Sequence, residues 1–307
     1  MNNIFNKSKK IIILTIIILI LFSCLYYSKT TIIEVINTIN IFINSLLPGI
    51  FIFYTITDLL VNYDFLKVLY KLPLHITKRL LNITTNSLFI ISFSLLSGFP
   101  SGSKYITSFY NQKLIDKNET SYLLLSTHFS NPLFILGVIK TIIGKKLALI
   151  VLLSHYLSNF ILIILFHPKE KHNNKIKSIN HYDLVTCLNK SFNNTFHILL
   201  IVLSYSIIFA TLSTLICMHI NSNFLKIFVY GFIDITKGIF YLKELNIPLY
   251  IKGLLITTFI TFGGVNIHMQ VKSIIKKESL NYSYFFIGRI ISTFLSIILY
   301  IFLFNVL

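Results

Sequence analysis

Residues 97–104 read Ser97-Gly98-Phe99-Pro100-Ser101-Gly102-Ser103-Lys104, at the end of the apolar run 87–97. A helix that only spans a bilayer has no use for this cluster. Pro100 removes a backbone donor and favours a fresh helix start just after the break. Gly98 and Gly102 let another backbone or a ligand approach closely. A new helix beginning near Ser101 aims free N–H groups and a partial positive charge beyond the break. Ser101 and Ser103 add hydroxyls and Lys104 a full charge, which together suit an anion. The plainer alternative is a proline kink, with serines bonded back to the helix and Lys104 snorkelling to the interface. The glycine spacing is not that of a phosphate-binding loop.

The rest of the chain sets this break in a membrane. Of 307 residues, 55% are hydrophobic and only 12% charged, and mean hydropathy is +0.77. This is the composition of an all-α polytopic integral membrane protein, and one membrane domain over 1–307 is the simplest organisation. The formal net charge of +17 sits in short loops between apolar runs. It follows the positive-inside bias and suits anionic lipid at the basic loops, so nucleic acid is not the expected partner. Cys24, Cys187 and Cys217 are too scattered for a disulfide framework or metal cluster. His167, His172 and His181 lack ligand spacing. No GxSxG, HExxH or well-placed carboxylate pair occurs, so an enzyme, a cofactor and a metal are not expected. Lys7, Lys9 and Lys10 before an apolar stretch resemble a signal peptide, and Leu21-Phe22-Ser23-Cys24 a lipoprotein cleavage site. Phe22 fits that site poorly, which favours an uncleaved first helix over 1–34.

Candidate spans lie near 11–28, 36–61, 145–166, 198–218 and 283–306. The runs 87–97, 122–143, 224–242 and 249–262 are short or interrupted. The whole predicts about 7–9 transmembrane or half-membrane helices. The loops 62–86 (Lys67, Lys71, Lys78, Arg79 against Asp64) and 167–183 (Lys169, Lys171, Lys175, Lys177 against Glu170, Asp183) are both basic, as are residues 1–10. All three belong on the cytoplasmic side. Three apolar regions separate the two loops, so parity requires one of them to enter and leave on the same side. Broken backbone of this kind survives only against protein or a wet cavity, and paired interrupted helices point to a transporter site. The run 87–96 before Gly98 and the run 253–262 before Gly264 are self-similar. That predicts two halves, 35–166 and 184–307, whose inversion only topology mapping can decide.

Three further breaks carry polar residues. Thr127-His128-Phe129-Ser130-Asn131-Pro132 offers the Asn131 amide beside the stop at Pro132. Phe262-Gly263-Gly264-Val265-Asn266-Ile267-His268-Met269-Gln270 sets Asn266, His268 and Gln270 beside a double glycine. Gly231-Phe232-Ile233-Asp234-Ile235-Thr236-Lys237-Gly238 places a carboxylate at membrane depth. There it costs about 2.5–3.5 kcal/mol and demands a partner. Lys237 on the same helix face is the simple partner; a coupling role for Asp234 and Thr236 is the other reading.

Together these motifs resemble the sporulation integral membrane protein family of endospore formers, which carries nucleoside-recognition (Gate) domains. Ser97–Lys104 matches its first break, with Phe99 for a tyrosine and Ser103 for an alanine. Ser130–Gly137, Gly231–Thr236 (Asp234 for a glutamate) and Phe262–Gln270 match its later motifs. Leu47–Leu60 matches an upstream pattern in which Ile52 replaces a proline, so a kink is not assured there. The resemblance covers most of the chain from about residue 40 and implies Gate-like halves with re-entrant segments. It also implies a transport-like role around the developing spore, in the mother-cell-derived outer forespore membrane, beside other sporulation membrane proteins. Its candidate cargo is dipicolinic acid moving from mother cell towards forespore, whereas the domain's name points to nucleosides. The residues favour an anionic aromatic dicarboxylate. Gly98, Pro100, Ser101, Gly102, Ser103 and Lys104 would form one wall, and Asn131, Pro132, Gly263, Gly264, Asn266, His268 and Gln270 the other. A nucleoside permease and a non-transporting scaffold for spore-envelope assembly are the other readings.

Overall fold

The computed structural model describes residues 2–63, 83–167 and 183–307. The described residues form helices and connections only. Six helical stretches are long and apolar enough to cross a membrane: Ser8–Tyr26, Ser28–Asn62, Phe134–Leu165, Leu184–Cys217, Leu249–Glu278 and Tyr282–Val306. The chain is a polytopic integral membrane protein. The lysines and arginine of the two basic loops, Asp64, Glu170, His172 and His181 lie outside the described residues.

Helix α1 (Asn2–Tyr26) stands at the edge, with Ile11 through Leu25 largely exposed. A helix apolar on all sides that packs on little protein is suited to lipid. After Tyr27, α2 (Ser28–Ile41) runs through a π turn (Phe42–Leu46) into α3 (Leu47–Asn62). Pro48 sits in the first turn of α3. It has no N–H for the carbonyl four residues back, and the widened turn absorbs that loss.

Next come α4 (Thr85–Ser97) and α5 (Ser101–Asn111). They fold back on each other about Gly98 (φ 75°) and a cis Phe99–Pro100 peptide. The far ends meet where the Asn86 amide donates to the Leu114 carbonyl at 2.7 Å, 28 residues along the chain. Helix α6 (Lys117–Ser126) starts at a reciprocal cap between Asp116 and Glu119. It gives way to non-helical residues 127–131 and resumes through a π turn (Phe134–Ile139) into α7 (Lys140–Leu165). Gly144 (φ 83°, ψ 163°) interrupts that last helix. The Tyr156 hydroxyl donates to the Ser130 carbonyl at 2.9 Å across 26 residues. A straight helix would hold those residues about 39 Å apart, so residues 134–143 return along 145–165.

The second part repeats this order. Helix α8 (Leu184–Cys217) is followed by α9 (Asn223–Ile233) and α10 (Ile235–Glu244), joined at the extended residue Asp234. The Tyr241 hydroxyl donates to Asn223 at 3.2 Å, 18 residues away, and Gly238 packs on the Gly231 backbone. This too is a hairpin. Helix α11 (Leu249–Phe262) breaks at left-handed Gly263 (φ 98°, ψ 1°) and continues as α12 (Gly264–Ile275). Helix α13 (Tyr282–Val306) closes the chain.

Each half therefore reads long helix, hairpin, broken helix, long helix. The packing follows suit: α3 lies on α8, α7 on α13, α6 on α13 and α11 on α7. The counterpart of the hairpin 85–111 is the hairpin 223–244, not the broken helix 249–275 with which its sequence is self-similar. An apolar run that stops at glycine marks either kind of break. What separates them is whether the next helix packs back on the last, and that depends on small residues further along, such as Gly102 on Ser94 and Gly238 on Gly231.

Gly98 gives a direct test. A Cβ there would meet the Asn131 amide nitrogen at 2.5 Å, and its φ is left-handed. Gly98→Ala should lower unfolding stability in detergent by on the order of 2–4 kcal/mol. Gly137→Ala, with open space around the added carbon, should leave the thermal midpoint nearly unchanged.

Candidate functional site

Two asparagines organise the interior. Pro132 leaves the chain after Asn131 without a donor, and the Asn131 side-chain oxygen accepts from the Leu133 N–H at 2.8 Å. Its amide reaches the Ser97 carbonyl at 3.4 Å, tying the broken helix to the end of α4. In the second half the Asn266 oxygen accepts from the Ile267 N–H at 2.8 Å. Its amide donates to Asp234 at 2.6 Å, tying α12 to the tip of the second hairpin. The other Asp234 oxygen accepts from the Lys237 N–H at 2.8 Å and so caps α10.

Both asparagines line one cavity of about 40 Å³, with Phe99 and Thr236 from the hairpin tips, Phe134, Ser130, and Ser45, Gly49 and Ser206 from the long helices. A water occupies about 10–15 Å³ on this measure, so the space suits a few waters. No charged side chain lines it. Helices begin at this cavity at Ile235 and just after Asn131, and those at Ser101 and Gly264 begin beside its lining residues Phe99 and Asn266. Each such N-terminus carries roughly half a positive charge; at Ile235 the Asp234 carboxylate already takes it up, and the other three favour a negative or hydrogen-bonding guest.

The other predicted residues lie apart. Ser101 and Ser103 are fully buried and their hydroxyls have no partner among the described residues. They sit in the packing of α5, outside the cavity lining. Gly98 packs on Asn131, and Gly102 on Ser94 and the Thr127 carbonyl. Gly263 and Gly264 make the left-handed break of the second half. His268 bonds the Phe262 carbonyl at 3.0 Å and the Tyr282 hydroxyl, ringed by Phe262, Phe285 and Phe286. Gln270 is buried, and neither of its side-chain amide atoms has a partner among the described residues. Lys104 lies in a second, larger cavity.

Behind the central cavity the Lys237 ammonium meets Glu34 of α2 at 2.6 Å. A void of only about 10 Å³, lined by Asp234, Thr236, Lys237 and Thr38, lies between that ion pair and the cavity. On the opposite flank stands a network the motifs did not announce. Arg289 of α13 is 1% exposed. It donates to the His128 carbonyl at 3.2 Å, the Thr261 carbonyl at 3.3 Å and the Asn159 side chain at 2.8 Å. His155 accepts from the Ser130 N–H at 2.9 Å and bonds Thr261 at 3.0 Å. Two signals were available: an arginine alone in the last apolar run, and the polar stripe Ser154, His155, Ser158, Asn159 on one face of an apolar helix.

The chain is similar to the sporulation integral membrane protein YlbJ of Bacillus subtilis (strain 168). The two are 21% identical over a match that covers 80% of this chain and 70% of that protein. That similarity supports a membrane protein of sporulation. No family model matches the chain, and no solved structure does.

Arg289→Ala would orphan two buried carbonyls and the Asn159 oxygen. The expected cost is on the order of 3 kcal/mol, read as a lower thermal midpoint in detergent and less protein in the membrane. Arg289→Lys, which restores a cation with a shorter reach, should fall between.

Proposed function

We propose that this chain is a transporter of endospore formation. It carries a small anionic aromatic dicarboxylate, dipicolinic acid, from the mother cell towards the forespore, and resides in the mother-cell-derived outer forespore membrane. The observation that supports this most is the meeting of two hairpin tips and two helix breaks around one cavity. Discontinuous helices that converge from two related halves are the usual build of a carrier's binding site. Three helix N-termini without a carboxylate cap suit carboxylates, and Phe99 and Phe134 suit the faces of a ring.

On this reading both hairpins are re-entrant. Helices of 13 and 11 residues in the first, and of 11 and 10 in the second, reach about half of a roughly 30 Å hydrocarbon core. The passages are α1, α2 with α3, α6 with residues 132–143, α7 from residue 145, α8, α11 with α12, and α13. That count puts residues 1–10 and both basic loops on the cytoplasmic side and inverts the second half against the first. Here the cavity is too narrow for a ring, so loading requires the hairpin tips to part. The Glu34–Lys237 pair closes the path on the non-cytoplasmic side, and alternating access opens it as the halves rock.

A nucleoside is the second reading, favoured by the uncharged lining of amides and hydroxyls. Uptake of labelled dipicolinate and labelled nucleosides into proteoliposomes separates the two. Dipicolinate uptake is expected, falling at least tenfold in the Asn131→Ala, Asn266→Ala double variant. Uptake of nucleosides alone would reverse the choice, and uptake of neither would leave a scaffold. In a background with Cys24, Cys187 and Cys217 changed to serine, cross-linking Glu34→Cys to Lys237→Cys should stop uptake, and a reductant should restore it.

A further inference from the structure

A cavity of about 410 Å³ lies between the ends of α3, α5, α8 and α12. It sits at the far end of the α2–α3 rod from Glu34. Lys104 from α5, His197 from α8 and Lys277 from the turn after α12 all line it, with Lys190 beside them. Among the described residues no ion pair engages Lys104, Lys277 or His197. Of the two carboxylates here, Asp58 is held by the amides of Asn62 at 2.7 Å and Asn194 at 3.0 Å. The other is Glu278. Among the described residues that line this concave, partly enclosed space, three lysines face two carboxylates, a balance that concentrates anions.

The two halves sharpen this point. Glu34 is the seventh residue of α2 (Ser28–Ile41), and Lys190 is the seventh of α8 (Leu184–Cys217). Thr38 and Asn194 correspond in the same way, and each lines the cavity of its own half. At one end of the path the first-turn lysine of a hairpin, Lys237, meets Glu34 and the space is closed. At the other end the first turn of α5 presents Lys104, and the position equivalent to Glu34 holds a second lysine. Among the described residues no carboxylate meets Lys104 as closely as Glu34 meets Lys237.

We infer that a small soluble dianion, a dicarboxylate or phosphate, binds in this vestibule between Lys104 and Lys277 with His197 beside it. It stands where Glu34 stands in the other half. A carboxylate bridging these groups would draw α5 and the end of α12 together, much as Glu34 holds α10. The vestibule is thus a first stop on the cytoplasmic side, ahead of the uncharged central cavity. The inference rests on the transport reading for the identity of the anion and for the vestibule's place as a first stop on the cytoplasmic side.

The test is calorimetric titration of the full-length protein with dipicolinate, inorganic phosphate and pyridine, which has the ring without the carboxylates. Saturable binding of both dianions and none of pyridine is expected. Lys104→Gln and Lys277→Gln should each weaken binding about tenfold, the order for one charge contact at a partly wet site. Lys226→Gln, on the other side of the molecule, should not. Undiminished binding in both vestibule variants would overturn the site. Loss of dipicolinate binding in nanodiscs of anionic lipid, against retention in zwitterionic lipid, would overturn the soluble anion in favour of a lipid headgroup. Binding as expected with no uptake in proteoliposomes would strike the transport reading alone.

Discussion

One guanidinium holds the ends of both broken helices. Arg289 donates to the carbonyl of His128, in the break after α6, and to that of Thr261, in the last turn of α11. Interrupting a helix inside a membrane frees backbone groups that lipid cannot satisfy. An arginine does this better than a lysine, because its planar fork serves several acceptors at once. The same break regions take donors from elsewhere, with Tyr156 donating to the Ser130 carbonyl. The flank of the molecule built from α7 and α13 can be understood as the frame that makes the interruptions affordable.

The opposite flank is built differently. Around α2, α3 and α8 the hairpin tips meet single side chains: an amide on a carbonyl, an amide on a carboxylate, and one ion pair. On the transport reading proposed above, this is the side expected to move, against a frame of α7 and α13.

Much of this was legible in the chain. The helix-breaking clusters are strong signals, because Gly98, Pro100 and Gly263 each forbid something that regular helix requires. Charge parity between two loops pointed to a segment that turns back in the membrane; the hairpins are compatible with that, and most of both loops lies outside the described residues. Which segment turns back was not legible, since a run ending in glycine looks the same in a hairpin and in a broken passage. The roles within the SGFPSGSK stretch were also out of reach. Ser101, Ser103 and Lys104 lie within one helical turn, yet the rotation of α5 sends the hydroxyls into packing and the lysine to the larger cavity. Arg289 was visible but unread, because its acceptors are backbone carbonyls, which have no signature in sequence.

The two π turns, Phe42–Leu46 and Phe134–Ile139, face one another across the central cavity. A π turn holds one residue more than the helix around it needs. If that extra residue passes along the chain, the helix beyond it rotates by about 100° without breaking more than a few hydrogen bonds at any moment. Ser45 and Gly49 would then swing away from the cavity as other faces of α3 swing in. Such a shift would change the lining of the cavity by one residue's advance of the winding, without unfolding the helix.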